Sequence, residues 1–400
     1  MSLFTRWADA LDGLKAQGRF RALKPPRGLD FTSNDYLGYS TRGQTPSAAE
    51  DRGQKPDGSK APLAGSPAVL CPLSSDLSLR TSGLASRLLR GHHPVWDEVE
   101  AGLAAWHGAE AVLVMNSGFT ANEGLISTVV EPGDWVATDE LNHACIAEGL
   151  RICRPRKFAF RHNDVSHLED GLRKEAATRP AGREMFVVTE SLFSMDGDRS
   201  PLPAIVELAE RYGAHVIVDE AHSTGCFGPG GSGIVDELGL RSRVLATVHT
   251  GGKALGVCGA YVCGSALLRD FLVNKCRHLI FTTALPPAIG PWWLDMLPKV
   301  TADAAGREKL HTNAARFHAK LRERNIPTVG DSYIVPVVLG EDAHAVRVAT
   351  ALQQRGYDIR AIRPPSVPQG TARLRISVHA DHSPELLDQL ADHVAEAVRG

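Results

Sequence analysis

The chain has 400 residues, 43% of them hydrophobic, and a formal charge of −2 at pH 7 with basic and acidic residues interleaved. That length buries a large core and exceeds one ordinary domain, so two domains are expected, while the mixed, near-neutral charge offers no electrostatic case for nucleic acid or an anionic membrane surface. No apolar stretch approaches the roughly 20 residues that span a bilayer, and Trp7, Asp9 and Asp12 interrupt the apolar run of a signal peptide, so a cytoplasmic protein is expected.

Residues 3–23 carry apolar and basic positions at helical spacing, interrupted by Gly13 and Gly18, and read as an N-terminal helix or arm within residues 1–40. Leu29-Asp30-Phe31 reads as a strand leading into a turn at Asn34-Asp35-Tyr36. From Thr41 to about Asp76 the chain is rich in Pro, Gly, Ser and Ala without a period, which predicts a loop-rich insertion. A helix is predicted from Asp97 to His107. Short apolar runs then alternate with helical segments: Ala111 to Met115, Trp135 to Thr138, Met185 to Thr189, Val216 to Val218 and Leu245 to Val248. That alternation predicts an α/β fold with a mostly parallel sheet and covering helices, here a large domain over residues 41–290. A long helical stretch from Pro287 to about Arg324 leads into a smaller α+β unit within residues 291–400. Its predicted strands lie near Ile334 to Leu339 and Arg373 to Val378, and its helices near Ala343 to Gly356 and Pro384 to Arg399.

The seven cysteines are odd in number and form no Cys-x-x-Cys pair, so neither a disulfide framework nor a zinc ribbon is expected. None of the sixteen histidines stands in a His-Glu-x-x-His pattern; no metal site is expected, and most read as surface or packing residues.

Two segments carry chemistry together. Val216-Ile217-Val218 ends in Asp219-Glu220-Ala221-His222, and about thirty residues on stands His249-Thr250-Gly251-Gly252-Lys253-Ala254-Leu255-Gly256. An aldehyde cofactor needs a lysine amine to hold it as a Schiff base and an acid to keep its ring nitrogen protonated. Lys253 and Asp219 supply both, and the pair reads as a pyridoxal phosphate site. Small residues let the backbone approach a bulky ring, and Thr250 offers a hydroxyl and an N–H to a phosphate. Alone, Lys253 could be a lysine in a Gly-rich turn and Asp219 a strand-end cap. A nucleotide P-loop is excluded, because Ala254 stands where the lysine should be followed by a hydroxyl. An aspartate at the carboxyl end of a buried strand, with His222 just beyond, faces the crevice where open α/β sheets bind ligands.

With these residues in view the chain resembles the α-oxoamine synthases, a family of pyridoxal phosphate enzymes. The matching segments are Phe31 to Gly38, Ser86 to Pro94, Asn116 to Asn122, Glu190 to Asp198, His278 to Pro287 and, most discriminating, Ala361 to Arg375. The resemblance covers nearly the whole chain and implies the fold-type I architecture of the aspartate aminotransferase superfamily. It departs from the family between Thr41 and Asp76, where a helix and a shorter connection are usual, followed by a glycine-richer stretch than Leu79 to Gly83. The insertion reads either as a modified lid or dimer contact, or as a surface loop.

The resemblance implies roles residue by residue. Gly118 and Phe119 bind the phosphate, as does Thr250, with Thr282 or Thr283 reaching the other subunit's phosphate in a homodimer. His143 stacks on the pyridine ring, and Ser194 and His222 hydrogen-bond its phenolic oxygen. Arg363 is the first choice for the substrate carboxylate, with Arg21, or alternatively Arg19, at the N-terminal side, and Ser366 keeps a hydroxyl where threonine is common. The catalytic set is Lys253, His143, Asp219 and His222. Within the family, the run from Arg363 points to the biotin-pathway branch, which condenses L-alanine with a pimeloyl thioester of coenzyme A or of acyl carrier protein and releases carbon dioxide. Glycine C-acetyltransferase and 5-aminolevulinate synthase share the chemistry and stay open as alternatives. A non-catalytic partner subunit is expected to lack the lysine that Lys253 supplies.

Overall fold

The computed structural model describes residues 3–20, 26–39 and 82–400. Arg21, the 41–76 insertion and residues 79–81 lie outside the described residues. Helix α1 (Leu3–Ala16) stops earlier than the helical spacing over 3–23 suggests. Gly18, at φ +63°, turns the chain left-handed; its N–H donates to the Lys15 carbonyl and that of Arg19 to the Leu14 carbonyl, which closes the helix end. Strand β1 (Leu29–Asp30) follows. Helix α2 (Pro94–His107) begins three residues before the expected Asp97, because Pro94 suits a first helical position and the His93 side chain accepts the Val95 N–H at 3.2 Å.

Seven strands then build the large sheet: β2 (Ala111–Met115), β3 (Trp135–Asp139), β4 (Arg156–Phe160), β5 (Met185–Glu190), β6 (His215–Asp219), β7 (Ala246–Thr250) and β8 (Ala260–Gly264). Their order is β2-β8-β7-β6-β5-β3-β4, and only β8 runs against the others. Both faces are covered: Val216 and Val218 enter one apolar cluster and Ile217 the other. This is why the central strands read as unbroken apolar runs. Between the strands, α3 (Gly118–Val129) and α4 (Ala144–Cys153) follow β2 and β3.

The predicted long helix after Pro287 is two helices, Gly290–Ala302 and Ala304–Glu323. Asp303 breaks it: its carboxylate accepts the Gly306 N–H at 2.9 Å and so caps the second helix. The C-terminal part holds β9 (Ile334–Gly340), β10 (Tyr357–Asp358), β11 (Ala361–Ile362) and β12 (Ala372–Ser377). Strands β11-β12-β9 form an antiparallel sheet, while β10 takes β1 as a parallel partner. Helices Asp342–Gln354 and Pro384–Arg399 match their expected positions, the second burying Leu387, Leu390, Ala391, Val394 and Ala395 at helical spacing. Pairing β1 with β10 brings Asn34 and Tyr36 beside β12. No helix among the described residues is long and apolar enough to cross a membrane.

Candidate active site

The carboxyl ends of β5 and β6 lie side by side, with Glu190 opposite Asp219 in register. Asp219 is buried, and each of its oxygens has a donor: the Ala221 N–H at 2.8 Å and the Asn122 amide at 2.8 Å. Asn122 comes from α3, whose start is fixed by a reciprocal cap between Ser117 and Thr120. The first N–H groups of a helix have no partner within it and carry partial positive charge. Here they belong to Gly118 and Phe119. A Cβ placed on Gly118 would stand 3.6 Å from the Thr250 Cβ and 3.7 Å from its hydroxyl, in ordinary contact, so a helix start and the end of β7 face each other at close range. That space suits a phosphate.

Lys253 is half-buried in the turn after β7. Removing water from its amine pushes its pKa down to about 8, although Asp219 and Glu190 pull it back up; Arg375 adds to the lowering. The glycines before it divide their work. Gly251 has no room for a Cβ, which would lie 2.5 Å from the Trp293 ring, whereas Gly252 is exposed, with the Thr250 hydroxyl 3.9 Å from its would-be Cβ. Only Gly252 fits the expectation of space for a ring.

His143 caps α4 and is held on two sides. Its N–H donates to Glu190 Oε1 at 2.6 Å, and its Nδ1 accepts the Cys145 N–H at 3.2 Å with the Cys145 Sγ at 2.9 Å. A neutral His143 therefore carries its hydrogen on Nε2. Burial lowers its pKa and Lys253 lowers it further, against the pull of Asp219. The Phe119 ring meets it edge-on at 6.4 Å. Glu190 itself is raised well above the ordinary carboxylate range, first by burial and then by Asp219. His222 is buried, pushed well below its usual pKa by burial with Lys253 and Arg375 adding to it, and its Nδ1 lies 2.8 Å from the Tyr36 hydroxyl.

Behind Tyr36 stands Arg375, on β12. It donates to the Ser194 carbonyl at 2.6 Å, the Ser377 hydroxyl at 3.1 Å, Asn34 Oδ1 at 2.9 Å and the Tyr36 hydroxyl at 3.1 Å. All four acceptors are neutral, so among the described residues no carboxylate pairs with this buried guanidinium beside Lys253. Its neighbour on the same face, Arg373, pairs with Asp196.

The structure thus brings together Lys253, Asp219, His143 and His222, with Gly118, Phe119 and Thr250 across the phosphate space and Ser194 joined through Arg375. The Arg363 guanidinium donates to the Gly18 carbonyl at the end of α1, and Ser366 sits exposed in the turn that follows, its N–H on the Arg363 carbonyl at 3.1 Å. Arg19 is engaged with Asp342 at 2.9 Å. Thr282 is half-buried and Thr283 exposed; the Asn116 amide donates to the Thr283 carbonyl at 2.8 Å. Sequence reasoning missed Arg375, Glu190, Asn122 and Tyr36 as site residues. For Arg375 there was a signal, since two arginines alternate with apolar residues on a strand buried throughout, and arginine is seldom buried without a reason.

A largely parallel sheet with one reversed strand, carrying a lysine among carboxylates and an anion-binding helix start at its carboxyl edge, defines a pyridoxal phosphate enzyme of fold type I. Residues 27–394 match the family model of the class I and II aminotransferases. An 8-amino-7-oxononanoate synthase of Chlorobaculum parvum is 42% identical over 365 residues, 91% of this chain and 88% of that protein. Another from Anaeromyxobacter dehalogenans is 38% identical over 397 residues, 96% of this chain and 93% of its own length. A solved serine palmitoyltransferase from S. paucimobilis, with a bound PLP–myriocin aldimine, superposes with a TM-score of 0.82 at 26% identity, covering 100% of this chain and 99% of that one. The chain belongs to the class I and II aminotransferase family, in its α-oxoamine synthase branch of pyridoxal phosphate-dependent acyltransferases.

Proposed function

We propose that this enzyme is an 8-amino-7-oxononanoate synthase, joining the α-carbon of L-alanine to the acyl group of a pimeloyl thioester, with release of carbon dioxide and the thiol, in biotin biosynthesis. The observation that carries the substrate reading is the 42% identity to the Chlorobaculum parvum enzyme over 91% of the chain; the run Ala361 to Arg375 supports it.

Bound at this site, pyridoxal phosphate supplies an electron sink that stabilises negative charge at the amino acid's α-carbon. Lys253 would hold the cofactor aldehyde, and its freed Nζ would accept the α-proton of L-alanine. A pKa of about 8 keeps a useful fraction of that amine unprotonated near neutral pH. Asp219, held by Asn122 and the Ala221 N–H, would keep the cofactor's ring nitrogen protonated. His143 would pack against the cofactor ring, its Nε2–H left free to donate to an oxygen of the reacting acyl group. His222 and Ser194 lie on the phenolic side. The N–H groups of Gly118 and Phe119 and the Thr250 hydroxyl would hold the phosphate, joined by Thr282 or Thr283 from the second subunit of a homodimer. Arg375 takes the alanine carboxylate in place of Arg363, because it is the guanidinium whose charge acts on Lys253 and His222. Arg363 and Ser366, by the end of α1, serve the acyl substrate instead, together with Arg21. The division into residues 1–40, 41–290 and 291–400, and a cytoplasmic location, complete the proposal.

The test is a matrix of kcat/KM values for L-alanine, glycine and L-serine, each with pimeloyl-, succinyl- and acetyl-coenzyme A and pimeloyl-acyl carrier protein. L-alanine with a pimeloyl thioester should lead. Highest efficiency for glycine with acetyl-coenzyme A would overturn the substrate assignment.

A further inference from the structure

His162 follows β4 and lies between two loops that carry site residues. Its Nδ1 is 2.9 Å from Asp139 Oδ1, at the end of β3, and its Nε2 is 2.8 Å from Asp198 Oδ2. A carboxylate only accepts, so both ring nitrogens carry hydrogen and the ring is an imidazolium. Asn163 repeats the bridge, its N–H donating to Asp139 Oδ2 at 2.9 Å and its amide to Asp198 Oδ2 at 2.7 Å. The Phe193 ring meets the imidazole edge-on at 4.4 Å.

Each carboxylate begins a short path to the site. Asp139 accepts the Leu141 N–H at 2.9 Å and so shapes the turn that ends at His143. Asp198 belongs to the hairpin closed by the Leu192–Arg199 bridge, in which the Phe193 N–H donates to the Asp198 carbonyl at 3.0 Å and whose tip holds Ser194. From there the Ser194 carbonyl receives Arg375. The cation therefore joins the loop that covers one side of the proposed cofactor position to the loop that edges another. With only a fifth of its side chain exposed, it is poorly screened by solvent.

We propose that His162 is a positioning residue, its imidazolium bridging Asp139 and Asp198 to set the spacing between the His143 turn and the Ser194 hairpin. This rests on the reading of His143 and Ser194 as cofactor contacts. It departs from the expectation that histidines outside the site are surface or packing groups. Displacement of reacting groups by about 1 Å can lower a rate by roughly a hundredfold, so a loosened clamp should act on turnover more than on binding.

The test compares holoenzymes carrying His162→Gln, whose amide reaches one carboxylate only, and Asp198→Asn, which keeps an acceptor but removes its charge. The readouts are kcat, KM for both substrates, Tm, and the visible absorbance and circular dichroism of the bound cofactor. His162→Gln should keep the cofactor band, alter its dichroism and lower kcat by about tenfold or more with little change in KM, and Asp198→Asn should fall between it and the wild type. Wild-type dichroism and kcat in His162→Gln, even with a lowered Tm, would overturn the proposal. If that variant does not fold, the same silent result in Asp198→Asn overturns it. His143→Ala, run in parallel, separates the causes: a large loss there with a silent His162→Gln removes the clamp alone, and silence in both also removes the cofactor-contact reading.

Discussion

Replacing Arg375 by glutamine tests where the amino acid carboxylate docks. The guanidinium is buried, its four acceptors are neutral, and its charge lowers both Lys253 and His222. A charge-assisted hydrogen bond to a carboxylate is worth about 1.5–3 kcal/mol, which converts to roughly a 10- to 150-fold rise in KM for L-alanine. That contact is present before and during reaction, so kcat should fall less than kcat/KM. A second effect has a definite sign. Without Arg375 the Lys253 amine moves up from about 8, and because Nζ takes a proton only when unprotonated, the rising limb of kcat against pH shifts to higher pH. The assay is thiol release with L-alanine titrated at saturating pimeloyl-coenzyme A, repeated across pH 6 to about 10. A KM for L-alanine within about twofold of wild type, with an unmoved pH limb, would refute the placement.

Asn122→Ala removes one donor from Asp219 and should slow α-proton exchange in D₂O several-fold while the cofactor stays bound; the loss is about 1 kcal/mol for one hydrogen bond. Unchanged exchange would show that Asp219 needs no such support. Gly251→Ala forces a Cβ against the Trp293 ring and the Val257 carbonyl, and should lower stability by about 1–3 kcal/mol, read by urea unfolding, with a weakened cofactor band. For His162, burial lowers the pKa but hydrogen bonds to Asp139 and Asp198 outweigh it and raise it from 6.5 to about 10. A raised folded pKa contributes stability that is fully present below 6.5 and lost as pH rises through about 10. The Tm gap between wild type and His162→Gln should therefore be widest at acid to neutral pH and close toward pH 10, with a pH-independent gap counting against the ionic bridge.

The central sheet was legible because strands buried on both faces read as apolar runs, and its carboxyl edge named Asp219 and, with the glycine turn, Lys253. Strand β4, Arg-Lys-Phe-Ala-Phe at the sheet edge, had no such run and went unseen, as did β8, which follows directly on a glycine-containing turn. The break at Asp303 was hidden because aspartate is tolerated inside a helical pattern as well as at its cap. The surroundings of Arg375 depended on long-range pairing: β1 joins β10 across more than three hundred residues, and that pairing helps bring Asn34 and Tyr36 to Arg375. Local spacing favoured Arg363, stiffened by the prolines after it; its guanidinium donates to the Gly18 carbonyl.

The most direct measurement is the mass of the product formed from L-alanine and pimeloyl-coenzyme A, together with the fate of a ¹³C label in the alanine carboxyl group, for wild type and Lys253→Ala. Wild type should form 8-amino-7-oxononanoate, lose the label as carbon dioxide and release one thiol per turnover, while Lys253→Ala lacks both the visible cofactor band and the product. A product that keeps the carboxyl label, or normal turnover without Lys253, would contradict the account.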